Sequence, residues 1–238
     1  NEHFCLSLAN EVGIKTAETS VEKFGEHTVI IVKRFDRYKS PERNTYQRIH
    51  QEDFCQALKV HPTIKYQSEG GPSPAQIIDV LRSYSSRPQV DIWRFCEALA
   101  FNWLISGTDA HAKNFSIMIA AQGQVRLAPL YDVISTLPYS TTVNQRKAKM
   151  AMKIGGKYKV EEITGHRWVD FANENRLSPD ELLNRIEKMT NALTEALIRI
   201  SEQMQTAGIE HDVIGRLVES IGQRVVKCQN SIHSARLR

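Results

Sequence analysis

The sequence predicts an α+β chain that is mostly helical, and three observations carry that expectation. Residues 90–106 are apolar on nearly every side of a helical projection, through Ile92, Trp93, Phe95, Leu99, Phe101, Trp103, Leu104 and Ile105, the pattern of a helix at the centre of a core. The last third holds two apolar stripes at helical spacing, each long enough for an extended helix. Runs of strand length come in short pairs around tight turns, which favours hairpins over a large sheet.

Taken in order, Phe4, Leu8 and Val12 recur at helical spacing before Gly13, so 2–12 is expected to be a helix closed by a glycine. TAETSVEKF and HTVIIVKRF are expected to pair across Gly25 and Glu26, the second as a buried strand. The polar stretch DRYKSPERNTY then leads to a short helix at QEDFCQALK, and KYQSEGGPSP reads as a loop because two glycines and two prolines punctuate it. From Pro74, the positions Ile77, Ile78 and Leu81 outline an amphipathic helix ahead of the apolar one. FSIMIAA and QVRLAPL, split by Gln122 and Gly123, form a second hairpin, and 140–150 is expected to be a mobile basic loop. Ser178, Pro179 and Glu181 combine an N-cap, a first-position proline and a glutamate three residues on. The stripe from Leu182 to Met204 follows, Ala207 and Gly208 break it, and the stripe from Ile214 to Ile232 should fold back antiparallel.

Composition limits the function classes. The chain has 238 residues, 41% hydrophobic and 24% charged, which suits a globular protein of one large or two modest domains. A net charge of +4 tolerates an anionic partner without requiring one. Cys5, Cys55, Cys96 and Cys228 are far apart with no CxxC pair, so neither a zinc ribbon nor a disulfide framework is signalled, and a reducing cytoplasm fits best. No run reaches the length of a membrane helix.

The chemistry concentrates at GTDAHAKNF, where an acid, a histidine, a lysine and an asparagine follow the apolar helix. Asp109 and Asn114 have the D-x-x-x-x-N spacing of a protein-kinase catalytic loop, in which the aspartate takes the proton of the acceptor hydroxyl and the asparagine holds magnesium. Alone, that spacing is common. A hairpin over 115–127 and then Asp132 give the order helix, Asp, Asn, hairpin, Asp, and two carboxylates with an amide are hard oxygen ligands suited to Mg²⁺ on phosphates. His111 can brace the loop or move protons. Lys113 can meet the γ-phosphate or be an exposed lysine beside an acid. Asp109 with His111 also permits a mononuclear hydrolase site, although no HxH or HxxxH lies nearby.

On these residues a resemblance rests. TDAHAKNFSI followed by LAPLYDVIS resembles the HipA family of serine/threonine kinases, toxin halves of bacterial toxin–antitoxin pairs. VKRFDR, QEDFCQAL, KYQSEGGP and the helical C-terminus extend the likeness along most of the chain. The resemblance implies a protein-kinase-like, HipA-type C-terminal lobe with a remnant of the N-lobe sheet: 1–37 as the end of the N-lobe with the inter-lobe hinge, 38–238 as the helical C-lobe. It implies ATP and Mg²⁺, with Asp109 as base, His111 and Lys113 beside it, and Asn114 and Asp132 on the metal. Lys33, Arg34 and Phe35 would receive adenine with Asp36 near the ribose, while Phe35 can also be core packing and Asp36 an ion-pair partner of Arg34 or Arg37. Partners implied are a HipB-like DNA-binding antitoxin, operator DNA mainly through that antitoxin, and a protein substrate such as an aminoacyl-tRNA synthetase; no membrane is expected. The family's glycine-containing phosphate loop and nucleotide-gripping lysine have no counterpart here, and Asn1 is expected to fall after them. A catalytically silent lobe that docks an antitoxin or DNA through Arg146, Lys147, Lys149, Arg236 and Arg238 is the competing expectation, and a small-molecule phosphotransferase a third.

Overall fold

The computed structural model describes residues 1–40 and 44–237. Part of the polar stretch after the first hairpin, residues 41–43, and the last basic residue, Arg238, therefore lie outside the described residues. The chain begins with α1 (Glu2–Glu11), ended by Gly13 at φ +90°, a conformation that glycine adopts without strain. β1 (Thr19–Phe24) and β2 (His27–Val32) pair antiparallel across Gly25 and Glu26, as expected. The expectation that β2 is buried is corrected: Val29, Ile30, Ile31 and Val32 are 36–41% exposed. The ribbon is a sheet of two strands, and among the described residues no third strand pairs with it.

The polar stretch folds into a small hairpin that periodicity did not reveal, β3 (Arg37–Lys39) with β4 (Tyr46–Arg48). Next, β5 (His50–Asp53) leads into α2 (Phe54–Ala57), where Asp53 and Gln56 form a reciprocal capping box. α3 (Pro74–Tyr84) starts the same way, with Ser73 as cap and Gln76 reaching back. α4 (Pro88–Leu104) is the central helix that the sequence predicts, with Ile92, Phe95, Leu99, Phe101, Trp103 and Leu104 all buried.

β6 (Ser116–Ile119) and β7 (Val125–Leu127) form the second predicted hairpin, turning through Gln122 and Gly123 at positive φ. β5 adds to its other edge, giving a three-stranded order β5-β6-β7. The region read as a mobile loop is partly a strand, β8 (Lys149–Ile154), paired with β9 (Lys157–Lys159). Met150, Met152 and Ile154 are buried, and the strand takes only Lys149 and Met150 from the 140–150 stretch. Gly155 and Gly156 make that hairpin's turn; a Cβ on Gly155 would lie 2.2 Å from the Arg167 carbonyl oxygen. α5 (Gly165–Glu174) packs Trp168 and Phe171 into the core.

α6 (Pro179–Thr206) opens on Ser178, whose hydroxyl accepts the Glu181 N–H. It pairs with α7 (Asp212–Arg236) in antiparallel fashion: Arg236 reaches Glu187 at 2.5 Å, Gln229 reaches Asn191, and Gly222 lies against Leu197. α6 also ties to α4 through Arg185 on Glu97 and over the Trp93 ring, and to α1 through Arg199 on Glu11. All four cysteines are free and buried. No helix among the described residues is long and apolar enough to cross a membrane.

Asp91, fully buried in the first turn of α4, fixes the helix to the sheet. Its carboxylate accepts from the Ser85 hydroxyl at 2.7 Å, Arg126 Nε at 2.9 Å, the Leu127 N–H at 3.0 Å and Arg94 at 3.1 Å. Burial alone would raise its pKa; the hydrogen bonds from Arg126, Ser85 and Leu127 outweigh burial and hold it below the ordinary value. Since the folded state lowers this pKa, its stabilisation is complete above the unfolded value of 3.8 and is lost as pH falls through the folded one. Asp91→Ala, which leaves Arg126 and the Leu127 N–H unpaired, is expected to cost about 3 kcal/mol in urea unfolding at pH 7. Asp91→Asn should flatten the acid limb of stability below about pH 4.

Candidate active site

The loop that leaves α4 is shaped by backbone demands before any chemistry. Ser106 turns at φ +53°, and Gly107 follows so close to Asn102 that a Cβ there would lie 2.3 Å from its Oδ1. The carbonyl groups left free at the helix end find partners in the segment after Asp132. Ser135 Oγ donates to Ile105 O at 2.6 Å, and Thr136 donates both its N–H and its hydroxyl to Ser106 O. Asn1 then clamps that segment to α1, donating to Ser135 O at 2.8 Å and accepting the Ser135 N–H at 3.0 Å. The strand leading to Asp132 is held as well, by a parallel bridge between Thr16 and Leu130.

Within this frame Asn114 and Asp132 meet. The Asn114 side-chain amide donates to Asp132 Oδ2 at 2.8 Å and to the Asp132 carbonyl at 3.1 Å. Asn114 is buried and its Oδ1 has no hydrogen-bond partner. Asp132 sits at φ +55°, a conformation that aspartate tolerates better than most residues and that often marks a functional site. Asp109 is exposed, its Oδ1 accepting from the Tyr66 hydroxyl at 2.6 Å.

His111 is buried, with Nδ1 unpartnered and its ring against the Tyr66 ring edge. Burial pushes its pKa down, aided by Lys65 and opposed by Asp109 and Asp132, so the ring is neutral near pH 7 and within electrostatic reach of both acids. Lys113 is directed elsewhere: its ammonium pairs with Asp53 Oδ2 at 3.0 Å, and Tyr131 donates to its carbonyl at 2.6 Å.

Residues 33–36 form a second feature. Phe35 packs on Tyr131, the residue before Asp132, with ring centroids 5.6 Å apart. Asp36 is almost fully buried and paired with three arginines, Arg34 in a two-bonded fork at 2.8 Å, Arg37 at 2.7 Å and Arg48 at 3.7 Å, and the bond from Arg34 above all keeps its carboxyl below the usual value. Lys33 pairs with Glu18 at 2.7 Å on the surface. A cavity of about 400 Å³ lies between Lys33, Phe35, Met118, Arg126 and Pro129, and neither Asp109 nor Asp132 lines it. Asn114 thus meets Asp132, whereas Lys113 turns to Asp53 and Asp36 and Lys33 to local ion pairs.

Three residues at the site were missed from the sequence. Tyr66 and Asp53 act across long sequence separations, which no local pattern encodes. Glu2, in the first turn of α1, faces Asp132: burial and the Asp132 charge push its pKa up. In sequence it resembles an ordinary first-turn acid.

Known proteins agree with this frame. A family model described as the HipA-like C-terminal domain matches residues 1–197. The chain belongs to that family. Its relatives include Y4mE of Sinorhizobium fredii, named as a kinase, at 35% identity over 98% of this chain and 54% of that protein. The serine/threonine-protein kinase toxin HipA of Shewanella oneidensis is 24% identical over 84% of this chain and 47% of its own length. The HipA-like chain therefore spans about half the length of these relatives. Among solved structures, S. oneidensis HipA in complex with HipB and operator DNA superposes with a TM-score of 0.89, at 20% identity, over 100% of this chain and 57% of that one. The Helicobacter pylori proinflammatory kinase CtkA follows at 0.66 and 14% identity, over 99% of this chain and 86% of that one. The fold is that of a kinase-like α+β lobe.

Asp53 combines two duties, capping α2 through Oδ1 and pairing Lys113 through Oδ2. Asp53→Ala should lose about 1 kcal/mol of stability, read as a fall of roughly 2–4 °C in the calorimetric midpoint.

Proposed function

We propose that this HipA-like chain is the catalytic lobe of a serine/threonine-protein kinase, the toxin component of a toxin–antitoxin pair. It would transfer the γ-phosphoryl group of ATP to a protein hydroxyl. The observation that carries the reading is the junction of Asn114 with Asp132 beside an exposed Asp109. Residues 1–37 would close the smaller lobe and form the hinge, and 38–238 the larger one. The apolar ribbon of β1 and β2, uncovered here, suits the edge of a larger sheet.

The donor set fits Mg²⁺. Asn114 Oδ1 is an amide oxygen buried with no partner, and the Asp132 carboxylate lies on the same amide, an arrangement that leaves hard oxygen donors for a cation. Among the described residues no three His, Cys, Asp or Glu gather as a metal cage, and Mg²⁺ needs none, since it takes one or two protein ligands and completes its shell with phosphate oxygens and water. When bound, such a cation would neutralise charge on the phosphates. Asp109 would accept the proton of the acceptor hydroxyl as its oxygen attacks phosphorus. His111, neutral and buried, would brace the loop that carries Asp109, and Lys113, held by Asp53, would fix the carbonyl geometry near Asn114.

Phe35, backed by Tyr131, offers an aromatic face for adenine next to the Lys33 and Arg34 backbone. Asp36 would shape the hinge through Arg34 and Arg37, and a ribose contact would require those pairs to open. The HipB-bound complex of the S. oneidensis relative supports a HipB-like antitoxin as partner, with operator DNA engaged mainly through it. The protein substrate, an aminoacyl-tRNA synthetase in the resemblance, is part of the same proposal.

Calorimetric titration with a non-hydrolysable ATP analogue is expected to show binding that needs Mg²⁺ and vanishes in Asp132→Ala. Folded protein that binds no nucleotide would instead leave a docking lobe. Asp109→Asn should retain nucleotide affinity while phosphoryl transfer to protein drops by about 10²- to 10⁴-fold.

A further inference from the structure

Tyr66 stands 43 positions before Asp109, yet its hydroxyl donates to Asp109 Oδ1 at 2.6 Å. We infer that Tyr66 is a positioning residue for phosphoryl transfer, its phenol holding one oxygen of Asp109 so that the other faces the acceptor hydroxyl. This rests on the reading of Asp109 as the base.

Tyr66 is held through its ring and through its backbone. Its ring stands edge-on to the buried His111, with centroids 5.2 Å apart and planes at 74°, and the Lys65 ammonium lies 5.1 Å from its centroid. Its carbonyl accepts the N–H groups of Glu69 at 3.0 Å and Gly71 at 2.9 Å, closing the loop into a tight turn. Gly71 is required there, because a Cβ would lie 2.5 Å from the Ile64 oxygen and 2.7 Å from the Tyr66 oxygen. Gln67, one residue on, accepts the Lys153 N–H at 2.7 Å and ties the loop to β8. A side chain so held is a fixed donor, not a lid.

An exposed carboxylate on a turn would otherwise sample several rotamers, and misplacing a base by an ångström slows transfer sharply. One charge-assisted hydrogen bond selects the productive rotamer. The donor also persists: the bond to Asp109, then burial and the Asp109 charge, push the phenol pKa up to about 12, so it keeps its proton at any working pH. In the step itself the acceptor hydroxyl passes its proton to the free oxygen of Asp109 and its oxygen bonds the γ-phosphorus. The bond from phosphorus to the β,γ-bridging oxygen breaks and ADP leaves, with the Tyr66 proton unmoved.

The test is steady-state kinetics of Tyr66→Phe and Asp109→Asn in the protein expressed from its complete gene, with a protein acceptor, alongside calorimetric unfolding. Tyr66→Phe is expected to lower kcat about tenfold, with both KM values within about twofold and the melting point nearly unchanged. Tyr66→Leu, which loses the hydroxyl and also the ring that packs on His111, should lower kcat at least as far. If Asp109→Asn abolishes transfer while Tyr66→Phe and Tyr66→Leu turn over like wild type, the positioning role is wrong and the kinase reading stands. Faster turnover in Tyr66→Phe would make the phenol a block on the base and overturn the role as well. Transfer that survives Asp109→Asn removes the base assignment, and the role of Tyr66 with it.

Discussion

The structure turns on a buried anion at the start of α4. Asp91 gathers Ser85, Arg94, Arg126 and the Leu127 N–H on one carboxylate, and Arg94 extends the contact to the Leu127 and Ala128 carbonyls. A buried charge is costly without such partners; with them, it sets the angle and height of the central helix against β7. Both halves of the candidate site descend from that joint. The C-terminal end of α4 delivers Asp109, and the exit of β7 delivers Asp132, so the two acids are referred to one rigid frame rather than to two independent loops.

The frame leaves tension at the site itself. Ser106 and Asp132 occupy left-handed backbone conformations, and Asn114 Oδ1 and His111 Nδ1 are buried without partners. Each costs stability. Similar features occur elsewhere, as at Lys59, Arg176, Trp168 and Asn175, but at Asn114 and Asp132 an orphaned oxygen and a left-handed residue meet at one junction, as expected where binding geometry and fold stability compete. The clamp of Asn1 on Ser135 and of Thr136 on Ser106 resists relaxation of that tension.

Electrostatics divides the polar residues by role. Lys113 and Asp36, which the motif places near the nucleotide, are engaged by Asp53 and by Arg34 with Arg37. Asp109 and Asp132 stay exposed, each with one oxygen held by a neighbouring side chain. Lys113 and Asp36 are thus taken by ion pairs, while Asp109 and Asp132 form none among the described residues, which favours chemistry at these two acids.

The sequence by itself determined most of the helices, though not α5, and named the candidate residues Asp109, Asn114 and Asp132. The cap at Ser178, the all-round apolar run of α4 and the stripes of α6 and α7 are local signals, because helical hydrogen bonds and apolar faces repeat within a few residues. The same locality made Asp109, Asn114 and Asp132 legible as one motif and supported a family resemblance that the comparisons bear out. Tertiary structure alone decided that β2 lies open, that Met150, Met152 and Ile154 are buried in a strand, and that Asp53, Tyr66 and Glu2 belong to the site. Burial and side-chain pairing across 40 or more positions depend on which surfaces meet, and no periodicity in the chain records that.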